Sequence, residues 1–107
     1  MTMTEDQKIF QRIIQAVVGG EVPKASDFKL WAESKGWQPT QTASSPLKYV
    51  DENGVARLTL KQGSSRTPGS NYPHFELRMA DRQRIDIWGN HVTRTSPGNH
   101  IRIQWDI

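Results

Sequence analysis

The feature that most constrains this chain is a change of hydrophobic period. Up to residue 37 the apolar residues recur with helical spacing, and from Leu47 onward they alternate with polar ones. Side chains share a face every 3.6 residues on a helix and every two on a strand. The first stretch is therefore predicted to be helical and the second to form a sheet. Helices first and strands after argue an α+β fold: two N-terminal helices packed on one face of a twisted antiparallel sheet of about four to five strands. No βαβ alternation, glycine-rich dinucleotide fingerprint or phosphate loop is visible, so a nucleotide-binding parallel sheet is not expected.

Ile9, Phe10, Ile13, Ile14, Val17 and Val18 make one broad apolar stripe, which predicts a helix over Glu5–Val18. Thr4 is its expected N-cap, Glu5 and Asp6 suit the dipole at its first turn, and Gly19-Gly20 ends it. Ser26 or Asp27 is expected to cap a second helix running to about Lys35, with Phe28, Leu30 and Trp31 as its apolar contribution. Residues 38–46 are polar and read as a loop.

Leu47–Val50 and Val55–Lys61 are predicted to be strands joined by the turn Asp51-Glu52-Asn53-Gly54. The polar stretch Gly63–Asn71 reads as a loop. Tyr72–Met79 follows as a third strand, Arg84–Trp88 as a fourth, and Ile101–Ile107 as a closing strand. At 107 residues this is one domain spanning 1–107, helical over residues 1–37 and sheet-forming over residues 47–107.

Within Tyr72–Met79, alternation sorts Pro73, Phe75, Leu77 and Met79 onto a core face. It leaves His74, Glu76 and Arg78 in one row on the wet face. If Val55–Lys61 pairs antiparallel with this strand, the polar faces coincide and Arg57, Thr59 and Lys61 flank the row. An imidazole near neutral pKa, a carboxylate and nearby guanidinium and ammonium groups suit phosphodiester cleavage. His74 and Glu76 are the expected proton-transfer pair, about 6.5–7 Å apart along the backbone. Arg78, Arg57 and Lys61 are the expected phosphate clamp. The Gly89–His100 loop adds donors at Thr93, Arg94, Thr95, Ser96, Asn99 and His100, and Trp88 is the exposed ring expected to stack a base.

Charge supports an anionic partner. Residues 1–53 carry six bases against seven acids, whereas residues 54–107 carry eight bases, seven of them Arg, against four acids. Arg presents a planar fork matched to phosphate. The absence of cysteine excludes disulfides, a thiol nucleophile and thiolate zinc sites. The spacing of His74, His91 and His100 does not suggest metal ligands, so neither metal nor cofactor is expected. No apolar run approaches the roughly 20 residues of a membrane span.

Three strings carry a family resemblance: Tyr49 to Val55 (Tyr-Val-Asp-Glu-Asn-Gly-Val), Pro73 to Arg78 (Pro-His-Phe-Glu-Leu-Arg), and Gly89 to His100. From Lys48 to Ile107 the chain resembles the C-terminal toxin domains of bacterial polymorphic toxins, of the Rhs and contact-dependent-inhibition kind. The spacing of His74, Glu76, Asp81, Gln83, Gly89-Asn90 and Asn99 is loosely similar to that in ribosome-cleaving colicins, whose row reads His-Gly-Glu-Leu-Glu where Arg78 stands last here. The order of elements is similar to that of the barnase–EndoU–colicin–RelE group of ribonucleases. The resemblance implies a metal-independent endoribonuclease toxin that cleaves tRNA or rRNA in competing bacteria and leaves a 2′,3′-cyclic phosphate. It also implies delivery within a larger protein into the target-cell cytoplasm, and an acidic immunity protein as partner. A monomer is expected. The alternatives are a non-catalytic RNA- or protein-binding module and a freestanding toxin of a toxin–antitoxin pair.

Overall fold

A computed structural model describes residues 2–63 and 72–107 of the chain. Of the expected loop Gly63–Asn71, all but Gly63 lies outside the described residues. The fold is α+β, with two helices and an open five-stranded antiparallel sheet in the order β1-β2-β3-β4-β5.

Helix α1 spans Glu5–Val18, as its stripe predicts. Thr4 and Gln7 form a reciprocal capping box: the Thr4 hydroxyl accepts from Gln7 N, and Thr4 N donates to Gln7 Oε1 at 2.9 Å. Helix α2 spans Ala25–Ser34 with Lys24 at the N-cap position, two to three residues earlier than its expected start. The reason is its cap. Neither Ser26 nor Asp27 caps it from its own side. Instead Asp106 reaches across the fold, accepting from Ser26 N at 2.8 Å and from the Ser26 hydroxyl at 2.5 Å.

The strands are β1 Gln38–Thr40, β2 Leu47–Val50, β3 Ala56–Lys61, β4 His74–Arg78 and β5 Arg84–Ile85. Ile9 and Ile13 of α1 and Ala25, Phe28 and Ala32 of α2 share one buried core with Tyr49, Leu58, Leu60, Phe75 and Leu77 of the sheet. Phe28 and Phe75 meet at 4.3 Å between ring centroids, which fixes α2 against the middle of β4. Among the described residues no helix is long and apolar enough to cross a membrane.

Several expected elements differ. The polar stretch 38–46 contributes β1, because Gln38, Pro39 and Thr40 pair with Val50, Tyr49 and Lys48. The fourth strand stops at Ile85, where the Asp86 carboxylate accepts from Trp88 N and Asn90 N at 2.9 Å each and bends the chain into a turn. Ile101–Ile107 does not form a regular strand. The edge of β4 is shared: β5 covers Leu77 and Arg78, leaving only the end at His74. There Ile103 N donates to the Pro73 carbonyl at 2.9 Å and Phe75 N to that of Ile101 at 3.3 Å. The chain then leaves the sheet, and Gln104 exchanges backbone bonds with Pro23 and Ala25 at the start of α2.

A β-bulge changes one face assignment. Tyr49 faces Leu58, but Val50 faces Ala56, so Arg57 is an extra residue in β3. A bulge re-aims the side chains around it. Arg57 turns out of the expected polar row. Its guanidinium lies 4.8 Å from the Trp37 ring and 3.4 Å from Asp51 Oδ2, while its Nε donates to the Arg78 carbonyl.

The cap supplied across the fold makes a checkable case. Asp106→Ala is expected to lower stability by about 1 kcal/mol, the ordinary worth of a helix cap. In a urea-denaturation cycle with Ser26→Ala, the two substitutions should be non-additive. Full additivity would show that the carboxylate acts elsewhere.

Candidate active site

The register between β3 and β4 places Thr59 opposite Glu76 and Lys61 opposite His74, so the polar faces of the two strands coincide. The row itself is not on a wet surface. His74 is 2% exposed and Glu76 8%. The segment from the short 3-10 helix Pro97–Asn99 to Ile103 packs along this end of β4, which alternation alone does not reveal.

Glu76 is held from three sides. Lys61 Nζ lies 3.1 Å from Oε2, Arg84 Nη1 3.3 Å from Oε1, and Asn99 Nδ2 donates to Oε1 at 3.0 Å. Burial pushes the carboxyl pKa up, but the hydrogen bond and charge of Lys61, the Arg84 guanidinium and the Asn99 amide outweigh it. The net direction is below the ordinary value, so Glu76 is ionised at neutral pH.

His74 is held differently. Its Nδ1 lies 3.0 Å from the Tyr72 carbonyl oxygen, which can only accept, so Nδ1 carries the proton. Nε2 then carries a lone pair, and it has no hydrogen-bond partner among the described residues. Burial lowers the His74 pKa; the Tyr72 carbonyl opposes this, Lys61 and His100 add to it, and Glu76 opposes it, leaving the value below the ordinary 6.5. The His100 ring lies 5.2 Å away, and the Tyr72 hydroxyl donates to the His100 carbonyl at 3.0 Å.

A groove of about 480 Å³ opens over the polar face, with Glu76 in its lining and Lys48, Lys61, Arg78, Arg82 and Arg84 around it. Such a ring of cations creates a field that attracts a polyanion. Arg78 belongs to the groove, and its Nη1 is tethered to the Arg82 carbonyl at 3.0 Å. His74 does not line it.

The other expected binders lie elsewhere. Arg57 stacks on Trp37, beyond the bulge. Thr93 and Ser96 close their own turn, with Thr93 N donating to Ser96 Oγ at 2.9 Å. The Arg94 carbonyl accepts from Asn99 Nδ2 at 3.4 Å and lies 2.7 Å from His100 Nε2. These loop residues thus support the 3-10 helix that presents Asn99. Trp88 stands on the turn after β5, 55% exposed, away from the groove.

Sequence reasoning missed Arg84 as a Glu76 partner and gave Asn99 a phosphate or a base edge to hold rather than a carboxylate. Arg84 could have been found by extending the same face argument one strand further, because it lies directly opposite Arg78. Asn99 carried no comparable signal. Among the described residues no three His, Asp or Glu side chains gather as metal ligands. No protein-family model matches the chain, and no curated protein is significantly similar to it.

The two shifted groups fix a pH dependence of stability. His74 titrates lower in the folded than in the unfolded chain, so protons favour unfolding, and stability falls as pH drops from the unfolded 6.5 through the folded value. Glu76 adds a second loss as pH falls below 4.5 through its own lowered value. Thermal midpoints across this range should show both limbs. His74→Gln should flatten the upper one and keep the lower.

Proposed function

We propose that this domain is a metal-independent endoribonuclease. The observation that supports it best is an ionised, nearly buried carboxylate in a groove ringed by cations. RNA supplies its own nucleophile, so the protein needs only a proton acceptor, a proton donor and charge for the phosphorane.

In this reading a phosphodiester seats between Lys61 and Arg84. Its oxygens draw the two donors away from Glu76, whose proton affinity then rises. Glu76 takes the 2′-hydroxyl proton as that oxygen attacks phosphorus. The bond from phosphorus to the 5′-oxygen breaks, and His74 protonates the departing oxygen. The products are a 2′,3′-cyclic phosphate and a 5′-hydroxyl. His74 must first take up a proton, and Nε2 has the lone pair for it. An anionic phosphate nearby favours that uptake. His74 lies opposite Lys61 and beneath the surface, so its proton reaches the leaving oxygen only when the phosphate seats deep against Lys61. Lys61 and Arg84 stabilise the developing charge.

The setting in the proposal follows from the resemblance of residues 48–107. It is a toxin domain that cleaves tRNA or rRNA in competing bacteria and is restrained by an acidic immunity protein. A non-catalytic RNA-docking module has one observation in its favour, the engagement of Glu76 by three partners at once.

Total RNA incubated in EDTA should be cut, with 2′,3′-cyclic phosphate ends. Glu76→Gln and His74→Ala should each slow cleavage by about 10²–10⁴-fold, the usual worth of a proton-transfer group. Intact RNA with strongly salt-sensitive binding would select the docking module instead.

The pH profile of kcat/KM separates the roles. Glu76 must be ionised and His74 protonated. The pKa values of these groups are held below 4.5 and 6.5 respectively, which places the bell on the acid side of neutrality. Activity should fall as pH rises through the lowered His74 value. A maximum above pH 7 would assign the proton transfers to other groups.

A further inference from the structure

A second groove, about 310 Å³, lies at the same end of β4 but against Leu77 and the helical layer, and the chemistry above does not use it. Its lining includes Trp31, Trp37, Leu77, Ile87 and Trp88, and Arg78 lines both grooves. We propose that this groove seats one unstacked nucleobase of a single-stranded RNA segment, on the far side of Arg78 from Glu76. The inference rests on the reading of the basic groove as an RNA site, and it names the class of RNA that site takes.

Trp88 is the stacking platform. It is more than half exposed, yet it sits on a turn that is fixed by its own backbone. Asp86 Oδ1 accepts from Trp88 N and Asn90 N, and Gly89 takes the positive φ of +86° that the turn requires. The indole is thus presented by a rigid turn rather than buried in the core.

The other rings are already engaged. Phe10 meets Trp31 at 4.9 Å, Trp31 meets Trp37 edge-on at 5.0 Å, and Arg57 and Lys35 lie 4.8 and 5.8 Å from the Trp37 ring. They form a wall with a cationic rim, and Trp88 supplies the open face.

Charge favours a nucleotide over an apolar ligand. Lys35, Arg57 and Arg78 line the groove beside one lining carboxylate, Asp86, which its own turn occupies. Lys35 also lies 3.6 Å from Asp6 and Arg57 3.4 Å from Asp51, so Arg78 is the cation of the three with no carboxylate paired to it among the described residues. Arg78 lies where the two grooves meet. A backbone phosphate at Arg78 therefore leads from the scissile linkage on one side to a base on the other. The volume is at the small end of ligand pockets and suits one base. A base in a duplex has both faces stacked, so only an unpaired one can be splayed onto the ring.

The test uses a short single strand carrying 2′-O-methyl groups, which blocks the nucleophile and separates binding from cleavage. Affinities are measured by fluorescence anisotropy at low salt for the wild type, Trp88→Ala and Trp88→Phe, with thermal midpoints confirming that each is folded. Trp88→Ala should bind the single strand roughly ten-fold more weakly, and Trp88→Phe should recover most of the loss. Affinity for the corresponding duplex should be the same in all three.

Equal affinity of Trp88→Ala and wild type for the single strand overturns the inference, and if wild type still cuts RNA, the ribonuclease reading stands. The expected loss in a protein that cuts no RNA upholds the base site and removes the catalytic reading. A wild type that neither binds the single strand nor cuts RNA overturns both, and one that cuts RNA without binding the single strand overturns the base site alone.

Discussion

A buried carboxylate has to be compensated, and the organisation of this site follows from how Glu76 is compensated. Taking an ionised carboxylate out of water is costly unless charges and hydrogen bonds replace the solvent. Its partners come from β3, β5 and the 3-10 helix, through Lys61, Arg84 and Asn99. No local segment can supply them. A one-residue slip of β3 against β4 would send Lys61 to the opposite face, so this polar cluster and the apolar face behind it require the same register. Leu58, Leu60, Phe75 and Leu77 form the core for the reason that Thr59, Lys61 and Glu76 form the groove.

The C-terminal segment has two roles. Along β4 it completes the edge that β5 leaves uncovered and buries His74. Beyond Ile103 it crosses to α2, where Asp106 caps the helix. Its final residues thus tie the sheet to the helical layer, while Asn99 just before it steadies the carboxylate. Water is kept from His74 and largely from Glu76, which strengthens the remaining electrostatic interactions there. The same burial depresses the His74 pKa, so at rest both groups are proton acceptors.

The bulge in β3 divides the cations between two surfaces. Arg57 leaves the basic groove for Trp37, and Ala56 takes the place beside Thr59 and Lys61. Arg78, with no bulge at its own position, remains where the two grooves adjoin. One extra residue in a strand thereby separates an ionic surface from an aromatic one.

Much of this was legible from spacing. The stripe from Ile9 to Val18 and the Thr4 cap gave α1 to the residue, because a cap and an apolar period are local properties. Alternation in Val55–Lys61 and Tyr72–Met79 led to a polar face shared by Thr59 and Lys61 with His74 and Glu76, because both strands bury one face against the same helices; the register that sets Lys61 opposite His74 came from the structure. Alternation reports which side chains share a face, but not what later covers that face. The burial of His74 and Glu76, the loss of the closing strand and the convergence of Arg84 and Asn99 on Glu76 therefore emerged only in the tertiary structure. Arg57 shows the limit most directly. Its face depended on a register shift against β2, which is set by the packing of two strands and not by the period of either one. The sequence determined α1, the strand pair β3 and β4 with their shared polar face, and the basic charge of the second half. The tertiary structure decided which of those charges meet, because meeting depends on register and on what lies across each exposed edge.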